Sequence, residues 1–263
     1  MHASMTRTYL DDILSWHRRR AAGDSRDIDE LVAASLSCEP ARGFAAHITS
    51  TPHLAVIAEI KRRSPSKGDL NRQLDAAQYA RMYQAGGASC LSVLTDEEHF
   101  GGTVRDLQQV RTACSLPVIR KDFTVDLRDV CDARIMGADC VLLIAAALTA
   151  VELKSLLAMA EMVDIDALVE IHDEKELAVA LNAGATMVGV NQRDLVTFAV
   201  DQDRAVRMAS LIPSSVVRVA ESGVRGRHDA LALRKAGYDA VLVGEHLVTS
   251  DDPAAALTDL LVD

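Results

Sequence analysis

The sequence predicts an α/β chain: a single (β/α)8 barrel behind an N-terminal helical extension. Eight short apolar runs, at 54–60, 88–94, 116–121, 139–145, 166–171, 186–191, 216–221 and 240–244, alternate with helical patterns. Several, such as Cys140-Val141-Leu142-Leu143-Ile144-Ala145, are apolar on both faces, as a parallel strand covered by helices requires. Four glycine-centred stops recur roughly 50 residues apart, at Ala85-Gly86-Gly87-Ala88, Met136-Gly137-Ala138-Asp139, Ala183-Gly184-Ala185-Thr186 and Ala236-Gly237-Tyr238-Asp239. They precede runs two, four, six and eight, and Gly just past a helix accepts the left-handed backbone that ends it. Eight strand–helix units in about 210 residues, joined by right-handed crossovers, close into a barrel. A doubly wound open sheet is the alternative. The even count and the lack of a GxGxxG after the first run disfavour it.

Residues 1–50 differ from the rest. Tyr9, Ile13, Leu14 and His17 recur at helical spacing, with Arg18-Arg19-Arg20 after them and Gly23 as a stop. A second helix is expected from Asp27 to Leu36, with Ile28, Leu31 and Val32 on one face. Neither has a strand partner, so both should pack near the barrel mouth as an extension of the 51–263 body. Within that body, Thr149-Ala150-Val151-Glu152 is a capping box, followed by Leu153, Leu156, Leu157 and Ala160 on one face. Asp173-Glu174-Lys175-Glu176 opens another helix, carried on by Leu177 and Leu181.

Composition narrows the function classes. Of 263 residues, 49% are hydrophobic and only 3% aromatic, so Ala, Val, Leu and Ile must fill the core. A net charge of −10 argues against nucleic acid or an anionic membrane as partner. It leaves room for a small anionic substrate, because distant surface charge is screened over roughly 8–10 Å. Five scattered cysteines without a CxxC pair suit small buried side chains in a reducing cytosol. No run of about 18 apolar residues and no signal-peptide core occurs, so a cytoplasmic protein is expected, with Met1 or Met5 as its start. The eight histidines form no HxH or HxxxH pair, so no metal is assigned.

In a barrel of this class the active site lies at the C-terminal ends of the strands. The first run leads into Glu59-Ile60-Lys61-Arg62-Arg63-Ser64-Pro65-Ser66-Lys67-Gly68. Side chains alternate along a strand, so Glu59 and Lys61 share a face. The pair is either an ion pair plugging a strand end or an acid–base set. The tail from Ser64 to Gly68 should be a loop, because Pro and Gly break both element types. Other runs end in Lys121-Asp122-Phe123, Glu170-Ile171-His172, Asn191-Gln192-Arg193-Asp194, Glu221-Ser222-Gly223 and Gly244-Glu245. So many polar ends exceed what core packing asks for. The last two also match the place where such barrels bind phosphate on backbone N–H groups, with Gly allowing close approach.

These blocks, with Pro117-Val118-Ile119-Arg120 and Leu168-Val169 leading into two of them and Gly189-Val190 into a third, resemble the indole-3-glycerol phosphate synthase family of tryptophan biosynthesis from about residue 7 onward. The resemblance implies a (β/α)8 enzyme that cyclises 1-(2-carboxyphenylamino)-1-deoxyribulose 5-phosphate with loss of CO2 and water, without cofactor or metal. It implies Lys121 as the general acid of ring closure. Lys61 would hold the anthranilate carboxylate and later help expel the hydroxyl. Glu59 and Glu170 would share the dehydration, with the division of roles open. Asn191 and Glu221 would position substrate hydroxyls and the lysines. Ser64, Ser222, Gly223, Gly244 and Glu245 would lie at the phosphate, Arg193 would order the loop after the sixth run, and Phe123 would wall the aromatic ring. His246 and Ala220 depart from residues the family favours, and His246 is expected to pack in a short helix. A monomer is expected. An isomerase of a related phosphosugar would instead resemble sites with Cys or Asp as base at the end of the first run, where this chain has Glu59 and Lys61. A binding barrel without catalysis would have lost a proton-transfer residue, and none is lost.

Overall fold

A computed structural model describes residues 8–64 and 67–263; the alternative start at Met5 and the Pro65–Ser66 tip of the first loop lie outside them. Eight parallel strands close a barrel in chain order: β1 Ala55–Ile60, β2 Cys90–Leu94, β3 Val118–Lys121, β4 Cys140–Ile144, β5 Asp166–Ile171, β6 Met187–Asn191, β7 Val217–Glu221 and β8 Ala240–Val243. Each coincides with one of the eight apolar runs. Closure pairs first with last, Ile57 opposite Leu242 and Ala58 opposite Val243. Glu59 stands opposite Ser92, and Asn191 opposite Glu221. That register carries the inward-facing polar residues to one end.

The helix stops work as their composition demands. Gly137, Gly184 and Gly237 each take φ between +96° and +99° at the end of helices α7 (Leu127–Met136), α9 (Glu174–Ala183) and α11 (Arg227–Ala236). At the first stop the left-handed residue is Gly87 at +95°, one place later than Gly86, which closes α4 (Ala76–Ala85) with right-handed backbone. The predicted capping box at Thr149 opens α8 (Ala150–Met162), and Asp173 caps α9.

Both predicted extension helices form. Helix α1 (Tyr9–Ala22) ends at Gly23, and α2 (Ile28–Leu36) is capped by Asp27. Their placement is wider than the mouth. Helix α1 lies across it, where His17 bonds Asp96 beyond β2. Helix α2 runs down the side, with Ser35 Oγ donating to the Cys131 carbonyl of α7. A third helix, α3 (Phe44–Ser50), seals the opposite end. Its Ala45 N–H donates to Asp166 at the start of β5, and Cys90 at the start of β2 reaches the Phe44 carbonyl. Phe44 and Ile48 are fully buried in the core. Arg42 holds the approach, donating to three carbonyls at Arg111, Cys114 and Leu116.

The sequence alone concealed α3. It has seven residues, a left-handed Gly43 before it and no side-chain cap, and its reason for existing is the barrel floor beneath it. Burying one Phe and one Ile contributes about 1.5–3 kcal/mol each. A chain beginning near residue 45 would lose α1, α2 and Phe44 together. We expect it to lose both melting temperature and substrate affinity; full kcat/KM with an unchanged Tm would overturn that.

Candidate active site

The mouth of the barrel opens into a cavity of about 810 Å³. Glu59, Lys61, Lys121, Glu170, Asn191 and Glu221 all line it, delivered by β1, β3, β5, β6 and β7. Ser64, Phe123, Arg193, Ser222, Gly223, Gly244 and Glu245 line it too. Every residue expected at the site is therefore brought to one cavity.

Lys121 is buried between two carboxylates of its lining. Its Nζ is 2.8 Å from Glu170 Oε2 and 3.1 Å from Glu221 Oε2. Asn191 Nδ2 donates to the other Glu170 oxygen at 3.0 Å, and Asn191 Oδ1 accepts the Arg193 N–H. Lys61 and Glu59 form a second, very close ion pair. It is an ion pair, and both residues face the cavity.

Three carboxylates facing two ammonium groups cannot all carry full charge at equal cost. Burial disfavours the charged form of Lys121, but Glu170, Glu221 and Glu59 outweigh it, and its proton is held far more firmly than in water. Burial also works against a charged Glu170, yet Lys121 and His172 together pull its carboxyl well below the usual range. Glu221 goes the other way: burial and the nearby negative charges raise it, against the pull of Lys121. Its Oε1 is buried and has no hydrogen-bond partner. A proton shared by the set therefore favours Glu221 over Glu170.

Space for two of these carboxylates comes from glycines on neighbouring strands. A Cβ at Gly189 of β6 would collide with Glu221, coming within 3.1 Å of its Cδ. A Cβ at Gly244 would run into the Glu59 carboxyl and stand 3.1 Å from Glu59 Cβ. Gly244 has a negative φ, −122°, so a left-handed backbone is not what asks for glycine there; the lack of room is.

The loop expected from Ser64 to Gly68 is flanked by a two-residue ladder, Arg63–Ser64 against Gly68–Asp69. Arg62 clamps it by a paired contact with Asp106 of α6 (Val104–Ala113). On the far side of the cavity Ser222 and Gly223 both have positive φ, 63° and 76°. A serine there is strained by about 1–3 kcal/mol, and Gln192 and Gln202 hold the turn by donating to the Ser222 and Gly223 carbonyls. Consecutive residues in this conformation turn their N–H groups toward one concavity, which suits an anion. Glu245, placed by sequence at the phosphate, spends its carboxylate on Lys67 at 3.7 Å and Arg193 at 3.5 Å. Arg193 also donates to the Phe198 carbonyl, tying its own loop. His246 lines the cavity in the first turn of α12 (Glu245–Val248) and does not simply pack beneath it.

An apolar wall lies opposite. Phe100 and Phe123 have ring centroids 6.1 Å apart, and Leu142 and Ile144 of β4 face the same space. The two aliphatic residues were legible in principle, since period 2 points both inward. Phe100 and Phe198 carry no such signal; the first ends a four-residue helix, Glu97–Phe100, and the second stands in a loop, and only the fold fixes where either lies.

One polar cluster was not expected. Asp96 accepts from His17 Nε2 at 2.9 Å, His99 Nδ1 at 2.9 Å and the His99 backbone N–H at 2.6 Å. Burial raises Asp96, but these bonds outweigh it and hold it at about 2. Among the described residues this is a group with metal-ligand potential; Asp96 and His99 are three residues apart, but His17 joins them across 79 positions. It is saturated by its own protons. A metal would displace both and move the His17 proton to Nδ1, which is buried without a partner.

No described helix is long and apolar enough to cross a membrane. Two solved structures share the architecture: a 3-hexulose-6-phosphate synthase, TM-score 0.63 at 17% identity over 79% of this chain and 98% of that one, and a thiamine phosphate pyrophosphorylase from Pyrococcus furiosus, TM-score 0.57 at 15% identity over 79% and 93%. Such low identity shows the fold alone. Sequence relatives are much nearer. The indole-3-glycerol phosphate synthase 2 of Streptomyces coelicolor is 50% identical over 244 residues, 93% of each chain, and the indole-3-glycerol phosphate synthase of Mycobacterium avium is 48% identical over 256 residues, 97% of this chain and 94% of that one. The family model described as indole-3-glycerol phosphate synthase matches residues 10–260. With that match across nearly all of the barrel and extension, this chain belongs to the indole-3-glycerol phosphate synthase family.

Proposed function

We propose that this cavity performs the family's carboxy-lyase reaction with Lys121 as the ring-closure acid, on 1-(2-carboxyphenylamino)-1-deoxyribulose 5-phosphate. The observation that carries this is the buried Lys121 ammonium, fixed between Glu170 and Glu221 at the floor of a cavity with one apolar wall and one anion-suited rim. The aromatic ring fits against Phe100, Phe123 and Leu142. The phosphate fits the Ser222–Gly223 turn and Ser64, with Lys67 and Arg193 oriented by Glu245.

In the first step the aromatic carbon bearing the carboxylate bonds to the ketone carbon, and the C=O electron pair moves to oxygen. Lys121 delivers a proton there. A tightly held proton can still be delivered, because the oxygen that takes up the C=O electron pair becomes strongly basic as the bond forms. Carbon dioxide then leaves, and its bonding pair returns to the ring. Lys61, first the carboxylate's counter-ion, protonates the departing hydroxyl, with Glu59 holding it in place. Glu170 takes the proton lost in dehydration, since it is the carboxylate kept ionised. Glu221, whose carboxyl is raised to about 7, donates to a substrate hydroxyl when protonated. Residues 1–50 act as an extension that shapes the mouth through α1 and steadies the floor through α3.

Incubation with the anthranilate-derived ribulose phosphate is expected to generate indole absorbance at equal rates with and without EDTA. No indole product would overturn the assignment of substrate, and a rate lost to EDTA and restored by one divalent ion would overturn metal-free chemistry.

A further inference from the structure

We infer that His172, which lies outside the cavity, is a positioning residue that keeps the shared active-site proton off Glu170. This rests on the reading of Glu170 as the base of the dehydration.

His172 follows Glu170 by two residues, just past the end of β5, and its ring turns back toward the Glu170 carboxylate. Its Nε2 lies 3.6 Å from Glu170 Oε1 and is buried with no hydrogen-bond partner. The ring cannot swing freely. Glu176, in the first turn of α9, accepts from the His172 backbone N–H at 2.7 Å and meets Nδ1 at 3.0 Å. Glu176 would complete the cap of its own helix by reaching back to Asp173; it reaches one residue further and fixes the imidazole. The result is a line of alternating groups: Glu176, His172, Glu170, Lys121, Glu221.

The groups facing His172 decide its charge. Burial and Arg204 of α10 (Arg204–Met208) oppose a cation, as does the N-terminal end of α9. Glu176 and Glu170 favour it and prevail, so its pKa is raised. A cation at that place favours an ionised Glu170 and leaves the proton to Glu221. Neutral His172, or an uncharged replacement, weakens that bias and leaves Lys121 alone to hold Glu170 ionised. The proton then spends time on Glu170, where it blocks the base.

The test is the pH profile of His172→Gln, with Glu176→Gln as a second variant that leaves His172 in place but frees its ring. An opposite charge at this range is worth about one pKa unit or more. We expect His172→Gln to lose about tenfold in kcat at pH 6 and to recover as pH rises to 8.5, where the shared proton has left both carboxylates; KM moves little. Glu176→Gln should show the same pattern, weaker. A loss that stays constant across pH means a purely structural role and overturns the inference, as does no loss at either pH in both variants. Glu170→Gln separates the two levels. If it keeps full kcat, Glu170 is not the base and the underlying reading fails. If it is inactive while the His172→Gln profile is unshifted, only the inference fails.

Discussion

Replacing Lys121 with Met is expected to lower kcat by roughly 10²–10⁴, the usual scale for a positioned general acid, with a much smaller change in KM. Met keeps the length and the apolar stem and removes the proton. The contacts proposed for substrate phosphate, at Ser64 and the Ser222–Gly223 turn, lie elsewhere in the cavity lining and should act in ground and transition state alike. The same change strips Glu170 and Glu221 of the cation that lies 2.8 Å and 3.1 Å from them. Two buried carboxylates without a counter-ion bind protons more readily, so their folded-state pKa values rise above the unfolded ones. The folded variant then holds more protons than the unfolded chain, and its stability deficit shrinks as pH falls. Thermal melts at two pH values check this independently of turnover. Should Lys121→Met alter KM alone, Lys121 is a binding residue and Lys61 becomes the ring-closure acid.

What the sequence disclosed follows from the range of the forces involved. Strands show through because each is covered on both faces, which leaves an apolar run such as Cys140–Ile144 whatever its neighbours are. Gly137, Gly184 and Gly237 show because a left-handed stop needs its residue type locally. Lys121 and Glu170 show because polar residues at strand ends are conspicuous against such runs. Contacts between distant segments leave no such trace. Helix α3 exists for the floor it closes, and His17 meets Asp96 across 79 positions. Glu245 looks like a phosphate residue from its place after β8, yet its carboxylate serves Lys67 and Arg193. Charge on an anion's rim is useful there only as a brace for cations.

Gly244 illustrates the same limit and gives the second large effect. From its position beyond the last strand it belongs to the phosphate rim, and a side chain there should raise KM. Barrel closure changes that expectation, because β8 lies beside β1 and the space over Gly244 is already filled by Glu59. Even a methyl group would press on the Glu59 carboxyl and come within 3.1 Å of its Cβ. Glu59 is 4% exposed and held by Lys61, so it has little room to retreat. Gly244→Ala is therefore expected to dislodge the Glu59–Lys61 pair and lower kcat about 10²-fold, the scale of a displacement of roughly 1 Å in a catalytic group. KM should rise less than kcat falls. Gly244→Asp adds a negative charge on the rim and should raise KM steeply as well. A Gly244→Ala enzyme with unchanged kcat and a raised KM would return Gly244 to the phosphate alone, and would mean that Glu59 moves aside without cost to the chemistry.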